Sequence, residues 1–250
     1  HITALPGPYG VGSLGAQAYA FVDFLEKAGQ RFWQILPLSP TGYGDSPYQS
    51  ASAFAGNPYL IDLDLLVAEG LLKKSEITKI PWSEDPARVD FGRLYHHRSD
   101  VLRLAYQRLS DREKLETFCH ANDSWIWDFA MFMALKERHS GKPWYQWEDA
   151  LKFRDDAALT AAWYALEDEI YFHCFVQYLF HTQWVALRAY AHENGVQIIG
   201  DVPIYVPYDS VEVWKDTQLF QLDEKLDPVS VAGCPPDAFS PPQRRQAYPS

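Results

Sequence analysis

With 250 residues and 47% hydrophobic content, the chain holds enough material for one large domain or two smaller ones around a sizeable core. Its formal net charge of −11 argues against a surface that follows polyanionic nucleic acid or anionic lipid, since both demand clustered Lys and Arg. No run of about 18 apolar residues occurs, and HITALPGPYG lacks the basic start and apolar stretch of a signal peptide, so a soluble, cytoplasmic chain without membrane contact is expected.

The first predicted element lies in AQAYAFVDFLEKAG (16–29), where Phe21, Phe24, Leu25 and Ala28 stand at helical spacing and Gly29 is placed to end the helix. RFWQILPL follows as a short buried strand. It opens into TGYGDSPYQS (41–50), a loop rich in Gly, Pro, Tyr and Ser, and SAFAGNPYLIDLDLL then makes a second polar turn into another apolar segment. Residues 65–166 read as mostly helical with few strand signals, and Ser110 and Glu113 have capping-box spacing. WIWDFAMFMALK is best explained as helix packing. A long helix is predicted over 167–195, with Ile170, Phe175, Tyr178, Leu179 and Leu187 on one spacing and Asn194-Gly195 at its end. VQIIGDVPIYVP repeats the earlier order of helix, Gly, strand and loop, delivering Asp201 beside Pro203 and Tyr205. From about residue 207 the sequence reads as loop, with several prolines toward 240.

Helix and strand alternating over short connections imply parallel strands, and polar residues at the carboxyl ends of such strands are where α/β folds bind ligands. Three loops are candidates on that ground. In TGYGDSPYQS the glycines and Pro47 hold Asp45, Ser46, Tyr48 and Gln49 in a stiff turn, although an ordinary connection explains the composition equally well. In IIGDVPIYV, Asp201 has three readings: a carboxylate bonding substrate hydroxyls, a metal ligand or a helix cap. No second acid, HxH or DxD accompanies it, so a metal is discounted and no cofactor is expected. VAGCPPDAFS suits either a lid or a surface crossing. Cys119, Cys174 and Cys234 are odd in number and widely spaced, which fits buried or idle thiols in a reducing compartment. His96, His97, His173 and His181 fall in helical runs as core or surface residues. The 9 Trp and 15 Tyr exceed ordinary core needs, and aromatic faces stack well on bases or sugars.

Taken in order, LPGPYGVGSLG, WQILPLSPTGYGDSPYQSASAFAGNPYLIDL, WDFAMFMALKERHSGKPWYQW, FVQYLFHTQW, GDVPIYV and VAGCPPDAFS resemble the 4-alpha-glucanotransferases of the amylomaltase group, glycoside hydrolase family 77, over residues 1 to about 240. The resemblance implies an α/β fold, a (β/α)8 TIM barrel with helical insertions, incomplete in this chain. It divides the chain into first barrel units with a substrate loop (1–64), a helical insertion (65–166), a further barrel unit with a lid loop (167–240) and a divergent tail (241–250). It also implies cleavage of an α-1,4-glucan by retaining double displacement through two carboxyl groups about 5 Å apart. The freed segment passes to an acceptor sugar, with maltooligosaccharides and glucose among the partners. A lid that excludes water favours transfer over hydrolysis.

Carried over by residue, Tyr48 resembles the tyrosine that stacks on the sugar at the cleavage point and Asp201 the aspartate supporting that subsite, with Ser46 and Asp45 beside Tyr48 as further substrate-binding residues. Tyr43 resembles a residue of an accessory glucan site, and Asp237 and Phe239 lie in the lid loop, where Ala238 stands in place of the family's usual tyrosine. After FSPP the family continues with Gly-Gln-x-Trp-Gly-Asn-Pro, whereas this chain reads QRRQAYPS, which suggests a truncation or a shift of reading frame. The nucleophile of the R-x-D-H motif and the general acid are expected beyond Ser250, so no catalytic residue is assigned and the 250-residue chain alone is expected to be inactive. A non-catalytic glucan-binding chain is the alternative.

Overall fold

The computed structural model describes residues 1–230 apart from Tyr43 and Pro86. In chain order the elements are α1 (Ala16–Lys27), β1 (Phe32–Gln34), α2 (Leu63–Ala68), α3 (Lys74–Ile77), α4 (Phe91–Gln107), α5 (Arg112–Ala121), α6 (Ile126–Arg138), α7 (Asp149–Lys152), α8 (Asp156–Ala165), α9 (Glu167–Glu193), β2 (Gln197–Ile199) and α10 (Val211–Lys215).

The recurrence in the sequence is a recurrence in space. After α1, Gly29 adopts φ +70°, its N–H donates to Glu26 O at 2.9 Å, and the Gln30 N–H reaches Leu25 O at 2.8 Å. After α9, Gly195 at φ +72° donates to His192 O at 3.0 Å while the Val196 N–H reaches Ala191 O at 2.9 Å. Both helices therefore stop in the same left-handed C-terminal motif, which glycine accepts without steric cost. Each stop aims the chain back along its helix, and the two strands that result pair in parallel, with Phe32 opposite Gln197 and Gln34 opposite Ile199. Trp33 is buried against Phe21 of α1, ring centroids 5.0 Å apart, while Phe32, Gln34 and Ile199 on the other face are exposed. The strands are shorter than the apolar runs suggested, because Gly200, Pro37 and Pro203 lie just past the paired residues.

The core centres on α9. Six consecutive residues, Phe172 to Gln177, are buried, so this part of the helix is enclosed on every side; along its whole length α9 packs chiefly on α6 and also on α1, α4 and α5. Cys119 and Cys174 are buried free thiols, and His173 is buried within 3.3 Å of Glu137 Oε1, as core readings require. Cys234 lies outside the described residues.

Three local expectations are corrected. Phe24 is exposed, and α1 instead buries Ala18, Val22 and Leu25. The capping box at Ser110 and Glu113 does not form: α5 starts one residue later, with Asp111 at its N-cap and no side-chain cap bond. Half of such a box occurs at α3, where Glu76 Oε2 accepts from the Lys73 N–H at 2.8 Å. Finally, the stretch after 207 is not all loop. Ser210 caps α10 by accepting from the Val213 N–H, and Trp214 is wholly buried between Phe132 and Trp147.

Candidate functional site

The carboxyl ends of β1 and β2 lie side by side, so the loops that leave them meet. Tyr48, from the first loop, donates its hydroxyl to Asp201 Oδ2 at 2.7 Å across 153 positions of sequence. Asp201 Oδ1 accepts from the Val202 N–H at 2.8 Å, which fixes the carboxylate's rotation. Because the phenol donates to Asp201, its pKa is raised, with burial and the negative charge of Asp201 acting in the same direction. Tyr48 therefore stays a neutral donor at ordinary pH, with its ring 42% exposed.

The turn that presents Tyr48 is held locally. Asp45 sits at φ +57° and its N–H reaches Gly42 O at 3.1 Å, while Gln49 N–H donates to Ser46 O at 3.2 Å. Ser46 Oγ accepts from the Tyr48 N–H at 3.3 Å, so Ser46 shapes the backbone under the ring. Asp45 is exposed; its charge helps raise the pKa of Tyr59, after burial, which is the larger cause. Tyr43, Asp237 and Phe239 lie outside the described residues.

Residues that motif reading passed over hold the site's second loop, 50–56. Glu212 of α10 accepts from Ser52 Oγ at 2.9 Å and from the Ala53 N–H at 2.8 Å. Gln177 of α9 receives the Gly56 N–H at 2.7 Å and donates to Gly56 O at 3.0 Å, and Gln183 grips both polar groups of Asp62 in the same way, at 2.7 and 3.2 Å. Each glutamine thus supplies what a neighbouring strand would. Two glutamines six residues apart in the aromatic-rich run FVQYLFHTQW were the available signal. Gly56 has no room for a side chain, since a Cβ would stand 2.0 Å from Phe180 Cδ1.

Past Asp201 the chain is fastened to the helical part. Lys136 pairs with Asp209, Trp144 Nε1 donates to Tyr208 O at 2.7 Å, and the Tyr145 and Tyr208 rings stack at 4.4 Å. Between Asp201 and this anchor, Val202, Ile204 and Tyr205 are exposed. A cleft of about 310 Å³ opens beside Asp201, lined by aromatic residues of α5 and α9, by Trp125 just before α6 and by residues 53–56 of the second loop. No cluster of three or more His, Cys, Asp or Glu fit to hold a metal occurs among the described residues, and among them no helix is long and apolar enough to cross a membrane.

A family model described as 4-alpha-glucanotransferase matches residues 1–244. The chain belongs to the 4-alpha-glucanotransferase family. A curated 4-alpha-glucanotransferase of Thermus thermophilus is 48% identical over 259 residues, covering 100% of this chain and 50% of the relative, and one of Streptococcus pneumoniae is 46% identical over 244 residues, covering 96% and 48%. The chain thus spans about half the length of these curated relatives. The solved amylomaltase of Streptococcus agalactiae, in complex with acarbose, superposes with a TM-score of 0.92 at 46% identity, over 96% of this chain and 49% of that one. The fold is accordingly α/β of the (β/α)8 barrel type with helical insertions, and the described residues hold two of the strands of such a barrel.

Proposed function

We propose that this chain is the glucan-binding part of a 4-alpha-glucanotransferase, with Tyr48 and Asp201 at the centre of its sugar site. The hydrogen bond between them carries the reading: it joins the ends of two parallel strands, where α/β folds bind ligands, and leaves an aromatic face open beside a carboxylate. A sugar ring offers an apolar face to stack on tyrosine and hydroxyls to donate to aspartate. Asp201 keeps acceptor capacity, because an ionised carboxylate takes about four hydrogen bonds and two are used within the protein. Ser46 and Asp45 shape the turn, Tyr43 extends contact at an accessory site, and Asp237 and Phe239 serve in a lid. The substrates are α-1,4-glucans and maltooligosaccharides, with glucose as one acceptor, and the setting is the cytoplasm. Residues 65–166 act as a helical insertion that supports the loops from behind, a role that the anchoring of Tyr208 and Asp209 supports.

The reaction needs a carboxylate nucleophile and a general acid on opposite sides of the scissile bond. Neither an R-x-D-H motif nor a matching Glu-Asp pair occurs within these 250 residues. The chain by itself is therefore assigned binding without turnover. Incubation with maltotriose followed by chromatography tests this: unchanged maltotriose is expected, and appearance of maltopentaose and glucose would refute it.

A further inference from the structure

We infer that Phe54 and Trp125 form a second aromatic platform that takes the same α-1,4-glucan beyond the Tyr48–Asp201 pair, a step that rests on glucan binding at that pair. Phe54 is 67% exposed, yet its loop has little freedom to turn the ring inward. Ser52 Oγ accepts from the Phe54 N–H at 3.1 Å and the Ala55 N–H at 3.3 Å, and Glu212 and Gln177 fasten the residues on either side. Isolated exposed phenylalanines are ordinary, but this one is not isolated. Its ring lies against that of Trp125, centroids 6.3 Å apart and planes within 20°, and Trp125 is braced in turn by Phe129 at 6.0 Å. The arrangement holds a flat apolar face in water on a rigid support.

The cleft beneath it selects the ligand's chemistry. Ser39, His181 and Asp201 contribute polar groups, and no Lys or Arg occurs among the described residues that line the wall. A phosphorylated ligand finds no counter-charge among these residues, whereas a neutral polyol finds both donors and acceptors. Burial, with Arg188 as a lesser cause, lowers the pKa of His181, so its imidazole is neutral at ordinary pH and can donate from one nitrogen while accepting at the other. Asp201 belongs both to this wall and to the Tyr48 hydrogen bond, so a sugar chain leaving the first site passes directly into the cleft. Short oligosaccharides fill the Tyr48 site alone; longer ones reach Phe54.

Calorimetric titration of the 250-residue chain with maltotriose and with maltoheptaose decides the matter. The longer sugar should bind several-fold more tightly. Phe54→Ala should weaken maltoheptaose by roughly two- to tenfold, the range of one aromatic contact, and leave maltotriose unchanged. Phe54→Leu, which keeps the apolar bulk without the flat face, should behave like Phe54→Ala while retaining the wild-type unfolding midpoint. Equal affinity for the two sugars, or a maltoheptaose constant untouched in both variants, would overturn the second platform while glucan binding at Tyr48 stood. Absence of binding by either sugar would overturn both.

Discussion

At the scale of single residues, one hydrogen bond sets what the site can do. Tyr48 and Asp201 were each legible as candidates from their loops, but their partnership was not, because a contact across 153 positions leaves no local mark in a sequence. The raised pKa of Tyr48 fixes the sign of its pH response. The folded-state value lies above the ordinary 10.0, so the hydrogen bond contributes fully below that pH and is lost as pH rises through the folded value. Sugar affinity should accordingly be flat from about pH 6 to pH 9 as far as this phenol is concerned. Asp201→Asn removes the charge that opposes ionisation, so a tyrosine-resolved NMR titration should find the Tyr48 transition moving down toward the usual value. A transition that stays in place would mean the pair does not persist in solution.

Among the elements, the recurring order of helix, glycine, strand and loop was readable because each step has a local cause: helical periodicity, a left-handed stop at Gly29 or Gly195, then β-branched residues. Helix α10 was missed because Asp209, Ser210 and the prolines downstream carry turn chemistry, and what makes VEVWK a helix is burial of Trp214 rather than propensity. The glutamine grips escaped for a related reason: a polar residue on a core helix acquires meaning only from the backbone it meets. Gln177→Leu would leave the Gly56 N–H and C=O buried without partners, at a cost of about 2–6 kcal/mol for the two groups. Urea unfolding should show that loss, and a variant as stable as the wild type would mean water replaces the amide. Exposed Gln30→Leu is the control and should change stability little.

At the scale of the whole molecule, the described residues form a two-stranded parallel sheet that they cover on one face. Parallel strands ordinarily carry cover on both sides, yet Phe32 and Ile199 lie open opposite the buried Trp33, with Leu36 and Ile204 exposed on the segments that follow. Such a surface should bind an apolar dye: anilinonaphthalene sulfonate should fluoresce with the folded chain, and Phe32→Ser with Ile199→Ser should lower the signal without shifting the unfolding midpoint. An unchanged signal in that double variant would place the apolar surface elsewhere. The middle of α9, Phe172 to Gln177, is already enclosed by its neighbours, so the chain offers a packed support on which two strand-end loops meet. This meeting point is the proposed glucan site. Calorimetric titration of maltoheptaose into the wild-type chain and into Tyr48→Ala tests it most directly: saturable heat in the wild type, lost in the variant, is predicted, and heat that is absent from the wild type or undiminished in Tyr48→Ala would contradict it.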